Sequence, residues 1–269
     1  MKLLFTDLDG TLLNNDSVVT AETKSYLDQF IAKGNKLILS SGRPLSNMLE
    51  VRREFGFTGK GILLSCSNGT VVYDCDKECI IMEKRLSMDY VNYLQQRAQE
   101  YGLHVHTYRD DAIISPADDP EIQFYRRKVH LPLVISPVLS AALDKEPYKM
   151  LAISLNDFEK LESFRKGIAD WAADKIQTIY SNSMYLELFD RSAGKGNAVR
   201  FVCDYFNVPL SDAYAAGDAE NDISMLEAAG TGIAMANASD NVKEHADVIT
   251  ELDNDKNGLA LTMQKLLTK

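Results

Sequence analysis

Apolar residues along this chain alternate between short continuous runs and longer runs with helical spacing. In the first third, continuous runs occupy residues 2–6, 36–40 and 61–65, and a run with helical spacing occupies residues 20–33. A short continuous run is typical of a strand buried on both faces, as in a parallel sheet covered by helices. The first third therefore predicts strands and helices in alternation.

The last third returns to the same alternation. Its helical segments are predicted at 193–206, 219–229 and 257–267, and its strands at 213–216, 231–235 and 247–249. Strands that alternate with helices indicate an α/β fold, here a Rossmann-like parallel sheet with helices on both faces.

The middle of the chain has a different pattern. Hairpin-like strands are predicted at 104–108, 112–115, 149–155, 178–180 and 184–189, with helices near 87–101 and 157–171. This mixture indicates an α+β domain inserted into the α/β one. We predict a core formed by residues 1–82 plus 190–269 and an insertion at 83–189, a division that suits a chain of 269 residues.

The net negative charge of the chain argues against polyanionic binding partners. The formal net charge is −10, with 45% hydrophobic and 25% charged residues. A nucleic acid or an anionic membrane needs a surplus of Lys and Arg, so both are excluded as expected partners. A small phosphorylated ligand remains compatible, provided that a metal and a few basic residues form its site locally.

The cysteines and the amino end indicate a soluble, cytoplasmic protein. The four cysteines show no second pair at metal spacing, and the histidines are scattered, His130 among them. We therefore expect reduced thiols and no zinc site. The apolar start resembles a signal peptide, but Asp7 and Asp9 interrupt it early, and no window reaches membrane-spanning length.

The first candidate site residues follow the first strand. Asp7 and Asp9, one residue apart, lead into Gly10 and Thr11. Side chains two apart on an extended segment point the same way, so the pair forms a dense negative spot that suits a hard cation. With Mg²⁺ present, one carboxylate becomes a candidate nucleophile toward phosphorus. The alternative is an Asx-type turn that ends the strand.

Two further segments offer groups that bind phosphate. Ser41 and Gly42 follow the second strand, and a hydroxyl with a backbone N–H at a helix start can receive a phosphoryl oxygen. Lys195 lies between two glycines at the start of a helix, where it can approach a phosphate closely. The alternatives are an ordinary helix cap and a solvated loop.

The fourth segment carries Asp218, Asn221 and Asp222 after a strand of small residues. Asp218 is a candidate second metal carboxylate, and the alternative is an acidic helix start stabilised by the helix dipole. Lys195 is not part of a P-loop, because no glycine precedes it at the required spacing, and an EF-hand would need glycine where Ile223 stands. Ligands bind beyond the carboxyl ends of parallel strands, so all four segments are expected in one cleft.

Taken together, the four segments resemble the signature motifs of the haloacid dehalogenase (HAD) superfamily of phosphohydrolases. An insertion between the second and third motifs is similar to the Cof-type branch with a C2 cap of the C2B kind. The Ser-Asn-Gly-Thr turn at 67–70 and the Lys-Gly-Asn-Ala segment at 195–198 also resemble that branch.

The resemblance implies a mechanism for each motif. Asp7 would be the nucleophile that forms an aspartyl-phosphate, and Asp9 would be the general acid and then the base. Ser41, Gly42, Lys195 and Asn221 would bind the phosphoryl group. Mg²⁺, for which Mn²⁺ can substitute, would be held by the Asp7 carboxylate, the Asp9 carbonyl and Asp218, with Asp222 orienting Lys195 or the water around the metal.

The expected function is hydrolysis of small phosphate monoesters, such as sugar phosphates, by a monomer or weak homodimer. A phosphomutase of the same superfamily and a non-catalytic sensor of phosphate and Mg²⁺ are the alternatives. The resemblance implies that the inserted cap reads the leaving group. Its polar and aromatic residues include His106, Tyr108, Arg109, Tyr125 and Arg126, none of which the sequence singles out.

Overall fold

A computed structural model describes residues 1–127, 129 and 131–268 of the chain, so His130 lies outside the described part. The strands are β1 Leu3–Thr6, β2 Lys36–Ser40, β3 Ile62–Cys66, β4 Val71–Asp74, β5 Cys79–Glu83, β6 His104–Arg109, β7 Ala112–Ser115, β8 Leu133–Ile135, β9 Lys149–Ile153, β10 Ile176–Asn182, β11 Tyr185–Asp190, β12 Ala213–Gly217, β13 Thr231–Ala234 and β14 Val248–Ile249. The α-helices are α1 Ala21–Ala32, α2 Leu45–Glu54, α3 Met88–Glu100, α4 Pro120–Tyr125, α5 Phe158–Gly167, α6 Ala169–Ala172, α7 Lys195–Phe206, α8 Ile223–Ala228, α9 Asp240–Lys243 and α10 Gly258–Leu267.

The chain divides into two compact units. The first contains residues 1–43, 48–82 and 194–269, and the second contains residues 44–47 and 83–193.

The first unit contains one sheet, with strands in the order β14-β13-β12-β1-β2-β3-β4-β5. The six strands from β14 to β3 are parallel, and β4 runs antiparallel to β3. The predicted α/β class with a parallel sheet is therefore confirmed. The hairpin of β4 and β5 was not expected from the sequence.

The centre of the sheet is buried because its strands are apolar on both faces. Every residue of β1, β3 and β12 is buried. On one face, α7 and α8 pack against a cluster that includes Phe5, Ile38 and Leu63. Parallel strands end at the same edge of a sheet, so the loops after β12, β1, β2 and β3 emerge side by side. This edge positions the site described below.

Local signals determine the helix ends. The Thr20 side chain accepts a hydrogen bond from the Thr23 N–H and so caps α1, as the predicted start at residue 20 requires. The predicted helix at 219–229 is shorter: a 3₁₀ turn at Glu220–Asp222 precedes α8. The Asp222 carboxylate bonds to backbone N–H groups in that turn and holds it in a tighter conformation.

The second unit has a six-stranded sheet in the order β10-β11-β9-β6-β7-β8, antiparallel except for β7 with β8. Residues that alternate along these strands enter two separate clusters. One cluster includes residues of α3 and α5, and the other includes Ile122 and Tyr125 of α4. Because successive residues point to opposite faces, the two clusters cover the two sides of the sheet.

No helix in the part of the chain that the structure describes is both long enough and apolar enough to cross a bilayer.

Candidate active site

Asp7 is held at the end of β1 by its backbone. Its N–H donates to the Ala216 carbonyl at 3.0 Å, which continues the pairing of β1 with β12. Its carbonyl accepts hydrogen bonds from the Thr6 hydroxyl and the Leu12 N–H. The residue is 8% exposed, so its carboxylate has little freedom and little contact with solvent.

Lys195 joins two of the predicted carboxylates. Its Nζ lies 2.6 Å from Asp7 Oδ1 and 2.5 Å from Asp222 Oδ1, and its side chain is fully buried. The helix α7 begins at residue 195, two residues later than the predicted start at 193. A charged amine in this position is tolerated because two carboxylates pair with it.

Both carboxylate oxygens of Asp222 accept hydrogen bonds from other groups of the protein. Oδ1 receives Lys195, and Oδ2 accepts the N–H groups of Asp218 and Ala219, each at 3.1 Å. These contacts fit the predicted role of Asp222 in orienting Lys195, which stays a prediction.

Asp218 lies beside the first motif. Its Oδ1 accepts a hydrogen bond from the Thr11 hydroxyl at 2.8 Å. Gly10 has φ +82°, and any side chain on it would collide with the Asp218 carboxylate. Only glycine satisfies both requirements, so Gly10 allows the loops after β1 and β12 to approach.

The carboxylates form an acidic group suited to a hard cation. Ligand atoms of Asp7, Asp218 and Asp222 lie within 4.8 Å of one another. Because Asp222 already receives three hydrogen bonds, with at least one on each carboxylate oxygen, Asp7 and Asp218 are the two side chains of this group that fit better as ligands. Oxygen donors of this kind suit Mg²⁺.

The pKa values show that the site carries too much negative charge when no cation is bound. Burial raises the pKa of Asp7 well above its usual range, and Asp222 and Asp218 raise it further, although Lys195 opposes them. Burial, with Asp222, raises the pKa of Asp218 to about 6. Burial alone would lower the pKa of Lys195, but Asp222 and Asp7 raise it above its ordinary value. Three carboxylates thus share one ammonium group.

This charge balance predicts that Mg²⁺ stabilises the protein above pH 6 more than below it. The pKa of Asp218 is higher in the folded than in the unfolded chain, so without metal the folded state binds more protons between about pH 4 and pH 6 and loses stability as pH rises. Mg²⁺ competes with those protons. At a hundredfold excess over Kd, it should add about 2.7 kcal/mol to the free energy of unfolding.

Thermal melts with and without Mg²⁺, at about pH 7.5 and about pH 5, measure this effect. The Asp218→Asn variant is the matched control, since it should remove most of the difference between the two pH values. An equal Mg²⁺ shift at both pH values, or an unchanged shift in the variant, would contradict the assignment.

Asp9 lies in a more open position than Asp7. Its side chain is 62% exposed, and its Oδ1 and Oδ2 lie 2.9 and 3.0 Å from Arg43 Nη2. Exposure fits a group that exchanges protons with a leaving oxygen and with water. No role was expected for Arg43 from the sequence. The available signal was its position directly after Ser41 and Gly42.

Ser41 is buried, with its N–H donating to the Ser65 carbonyl at 2.8 Å and its Oγ accepting from the Arg43 N–H at 3.3 Å. Asn221 donates from Nδ2 to Asn68 Oδ1 at 3.1 Å. All the residues predicted for the site, including Gly42, belong to the first unit.

The aromatic residues considered as contacts for the leaving group form hydrogen bonds with one another within the second unit. His106 Nε2 lies 2.9 Å from the Tyr108 hydroxyl, which donates to the Tyr125 hydroxyl at 2.6 Å. His106 Nδ1 lies 3.0 Å from His104 Nε2, and burial lowers the pKa of His106 well below its usual range. Arg109 is exposed to solvent in part and pairs with Asp111. The three buried residues therefore form an internal network of this unit.

The comparisons with known proteins agree with this fold. A family model described as haloacid dehalogenase-like hydrolase matches residues 4–263. Phosphatase YwpJ of Bacillus subtilis (strain 168) is 30% identical over an alignment that covers 99% of this chain and 100% of the relative. The 5-amino-6-(5-phospho-D-ribitylamino)uracil phosphatase YwtE of the same strain is 27% identical, covering 100% and 99%. A solved haloacid dehalogenase-like hydrolase from B. subtilis has a TM-score of 0.86 at 27% identity, covering 99% of this chain and 100% of that one.

The fold, the acidic site and these relatives define a hydrolase of the phosphatase class. The chain belongs to the haloacid dehalogenase-like hydrolase family, which confirms the resemblance of its four motifs.

Proposed function

We propose that the protein hydrolyses small phosphate monoesters through a phosphorylated Asp7, with Mg²⁺ as its metal. One observation supports this most directly: Lys195 contacts both Asp7 and Asp222, while the Asp218 carboxylate lies in the same buried group. This arrangement supports a reaction in which Asp7 is the nucleophile, Lys195 is a fixed cation, and Asp7 and Asp218 are metal ligands.

In the first step, an Asp7 oxygen attacks phosphorus and the bond from phosphorus to the leaving oxygen breaks. Asp9 gives its proton to that oxygen, so the product leaves as an alcohol. Lys195 balances the negative charge that spreads over the equatorial oxygens of the phosphoryl group, with Ser41, Gly42 and Asn221 as further ligands. Asp7 and Asp218, with the Asp9 carbonyl, would hold Mg²⁺, which adds positive charge at the phosphoryl group.

In the second step, Asp9 takes a proton from water as the water attacks the phosphorylated Asp7. The bond between phosphorus and the Asp7 oxygen breaks, inorganic phosphate leaves, and Asp7 is restored. Arg43 pairs with Asp9 in this structure and so holds the Asp9 side chain in one orientation between the two steps.

For the substrate, we propose sugar phosphates and related metabolites, with the insertion at 83–189 selecting the leaving group. One relative is named for a phosphate ester on a ribityl chain, which is a substrate of this chemical class. The net charge of −10 also favours a small ligand over a polyanionic polymer.

A phosphate-release assay across hexose, pentose, nucleotide and cofactor phosphates, with and without Mg²⁺, tests the proposal. We expect release that requires the metal and no bisphosphate activator. Product that appears only with a bisphosphate activator would instead indicate a phosphomutase. Absence of turnover across the panel, with phosphate still bound, would indicate a sensor.

A further inference from the structure

The turn that follows β3 has an unusual backbone. Ser67, Asn68 and Gly69 have φ values of 50°, 59° and 80°, so three consecutive residues are left-handed. For residues other than glycine this conformation costs roughly 1–2 kcal/mol each, and it normally occurs one residue at a time. Strain of this kind persists where surrounding contacts hold it, and it is concentrated at functional sites.

The backbone of this turn holds the second motif. The Ser67 N–H donates to the Arg43 carbonyl at 2.9 Å, and the Asn68 N–H donates to the Ser41 carbonyl at 3.0 Å. The position of the loop that carries Ser41 and Arg43 therefore depends on the left-handed geometry at residues 67–69.

The same turn packs against the third motif. Gly69 lies so close to the Gly194 carbonyl and the Lys195 nitrogen that a side chain on it would collide with both. The turn therefore lies against the backbone that places Lys195 beside Asp7.

The Asn68 side chain bonds to Asn221 of the fourth motif, and its Nδ2 group has no partner among the described residues. The residue is 1% exposed, and its Oδ1 accepts the Asn221 Nδ2–H at 3.1 Å. Within residues 1–127, 129 and 131–268, its Nδ2 has no hydrogen-bond partner. A buried donor left unpaired costs about 1–3 kcal/mol, so a native structure retains one where a ligand or an ordered water pairs with it.

We propose that Asn68 binds the phosphoryl group of the substrate, donating from Nδ2 to a phosphoryl oxygen while its Oδ1 holds Asn221 in place. Asn68 contacts or adjoins three predicted phosphate ligands. Its backbone N–H donates to the Ser41 carbonyl, its side-chain Oδ1 accepts from Asn221, and the next residue, Gly69, packs against the backbone of Lys195. Phosphoryl oxygens are acceptors, which matches the unpaired donor. This assignment rests on the proposed phosphatase function and adds a fifth chain segment to its site.

Two substitutions distinguish the contribution of the Asn68 side-chain amide from that of its backbone conformation. Asn68→Asp keeps the side-chain shape, the tolerance for positive φ and an oxygen that accepts from Asn221, but it replaces the Nδ2 donor with a carboxylate oxygen. Asn68→Gly removes the side chain and tolerates the left-handed backbone without strain. Binding of inorganic phosphate is measured with Mg²⁺ in two ways. Competition with the substrate gives its inhibition constant, and calorimetry gives its dissociation constant independently of turnover.

We expect Asn68→Asp to weaken phosphate binding at least tenfold and Asn68→Gly to weaken it about fivefold, because the first also adds charge repulsion. KM for the best substrate should rise in the same order. Asn35→Asp is the matched control: Asn35 bonds to the Lys2 N–H and the Phe30 carbonyl at the opposite end of the strands, so this change should affect stability and leave phosphate binding unaltered.

Phosphate binding within twofold of wild type in both folded Asn68 variants would overturn the assignment and indicate a bound water at Nδ2. That result would leave the phosphatase proposal standing if wild type still released phosphate. If Asn68→Asp does not fold, Asn68→Gly alone decides, since an unchanged inhibition constant there excludes the contact.

Discussion

Replacing Asp7 with asparagine is expected to abolish phosphate release, by at least about a thousandfold, while the fold is retained. A carboxamide cannot form the acyl-phosphate bond, so a loss of about 4 kcal/mol or more in transition-state stabilisation follows. Asparagine keeps the shape and can still accept the Lys195 N–H at the position of Oδ1. Initial rates with the best substrate of the panel, measured with Mg²⁺ present, give the size of the effect.

The Asp7→Asn variant is expected to lose activity without losing thermal stability. Burial raises the pKa of Asp7, which means that the fold disfavours the ionised carboxylate. A neutral asparagine removes that cost, so without metal the thermal midpoint should equal or exceed that of wild type.

Asp74→Asn is the matched control for this comparison. Asp74 is also buried, but its carboxylate accepts the N–H groups of Asp76 and Lys77 in the turn between β4 and β5, and we expect that variant to keep its activity. More than a few per cent of wild-type activity in purified, folded Asp7→Asn protein would reject the covalent route.

Replacing Lys195 with methionine should cost both activity and stability. The change leaves Asp7 and Asp222 facing one another with no cation between them. Breaking a buried ion pair by removing one partner destabilises by about 3–5 kcal/mol. Loss of the charge that faces the phosphoryl group should lower kcat/KM by at least about a thousandfold.

Lys149→Met offers a control of the same kind. Lys149 is a buried lysine whose Nζ lies 2.8 Å from Glu187 Oε2, in the sheet of the second unit. We expect a comparable loss in the free energy of unfolding, measured by urea titration, with kcat/KM per folded molecule within about threefold of wild type. Full activity in folded Lys195→Met protein, or an equal loss of activity in both variants, would contradict the role given to Lys195.

Short-range patterns were sufficient to find the core elements and the motif residues. The strand that ends at Thr6 and the helices predicted at 20–33 and 193–206 each depend on neighbours within a few residues. Apolar runs and capping side chains have the same consequence wherever they occur. Parallel strands end at one edge, and for that reason Asp7 and Asp218 were expected to lie together, as they do. Lys195 was expected in the same cleft from its position at the start of a helix, and its Nζ contacts Asp7.

The contacts that were missed join segments far apart along the chain. Arg43 pairs with Asp9, Asn68 with Asn221, and Tyr108 with Tyr125 in a buried network, and none of these pairs is visible as a local pattern. Each depends on which loops lie side by side and on the direction of each side chain. The hairpin of β4 and β5 was also missed, and its place in the sheet depends on the pairing of β4 with β3, which residue spacing does not specify.

By itself, therefore, the sequence determined the α/β class, the order of the motifs and the chemical groups available for phosphoryl transfer, because these depend on residue type and close spacing. Only the tertiary structure decided how those groups are shared. Lys195 pairs with both Asp7 and Asp222, Asp222 also accepts the backbone N–H groups of Asp218 and Ala219, and the Asn68 side chain retains an unpaired donor. Hydrogen bonds are directional and each polar atom accepts few partners, so their allocation follows from positions in space that residue spacing does not specify.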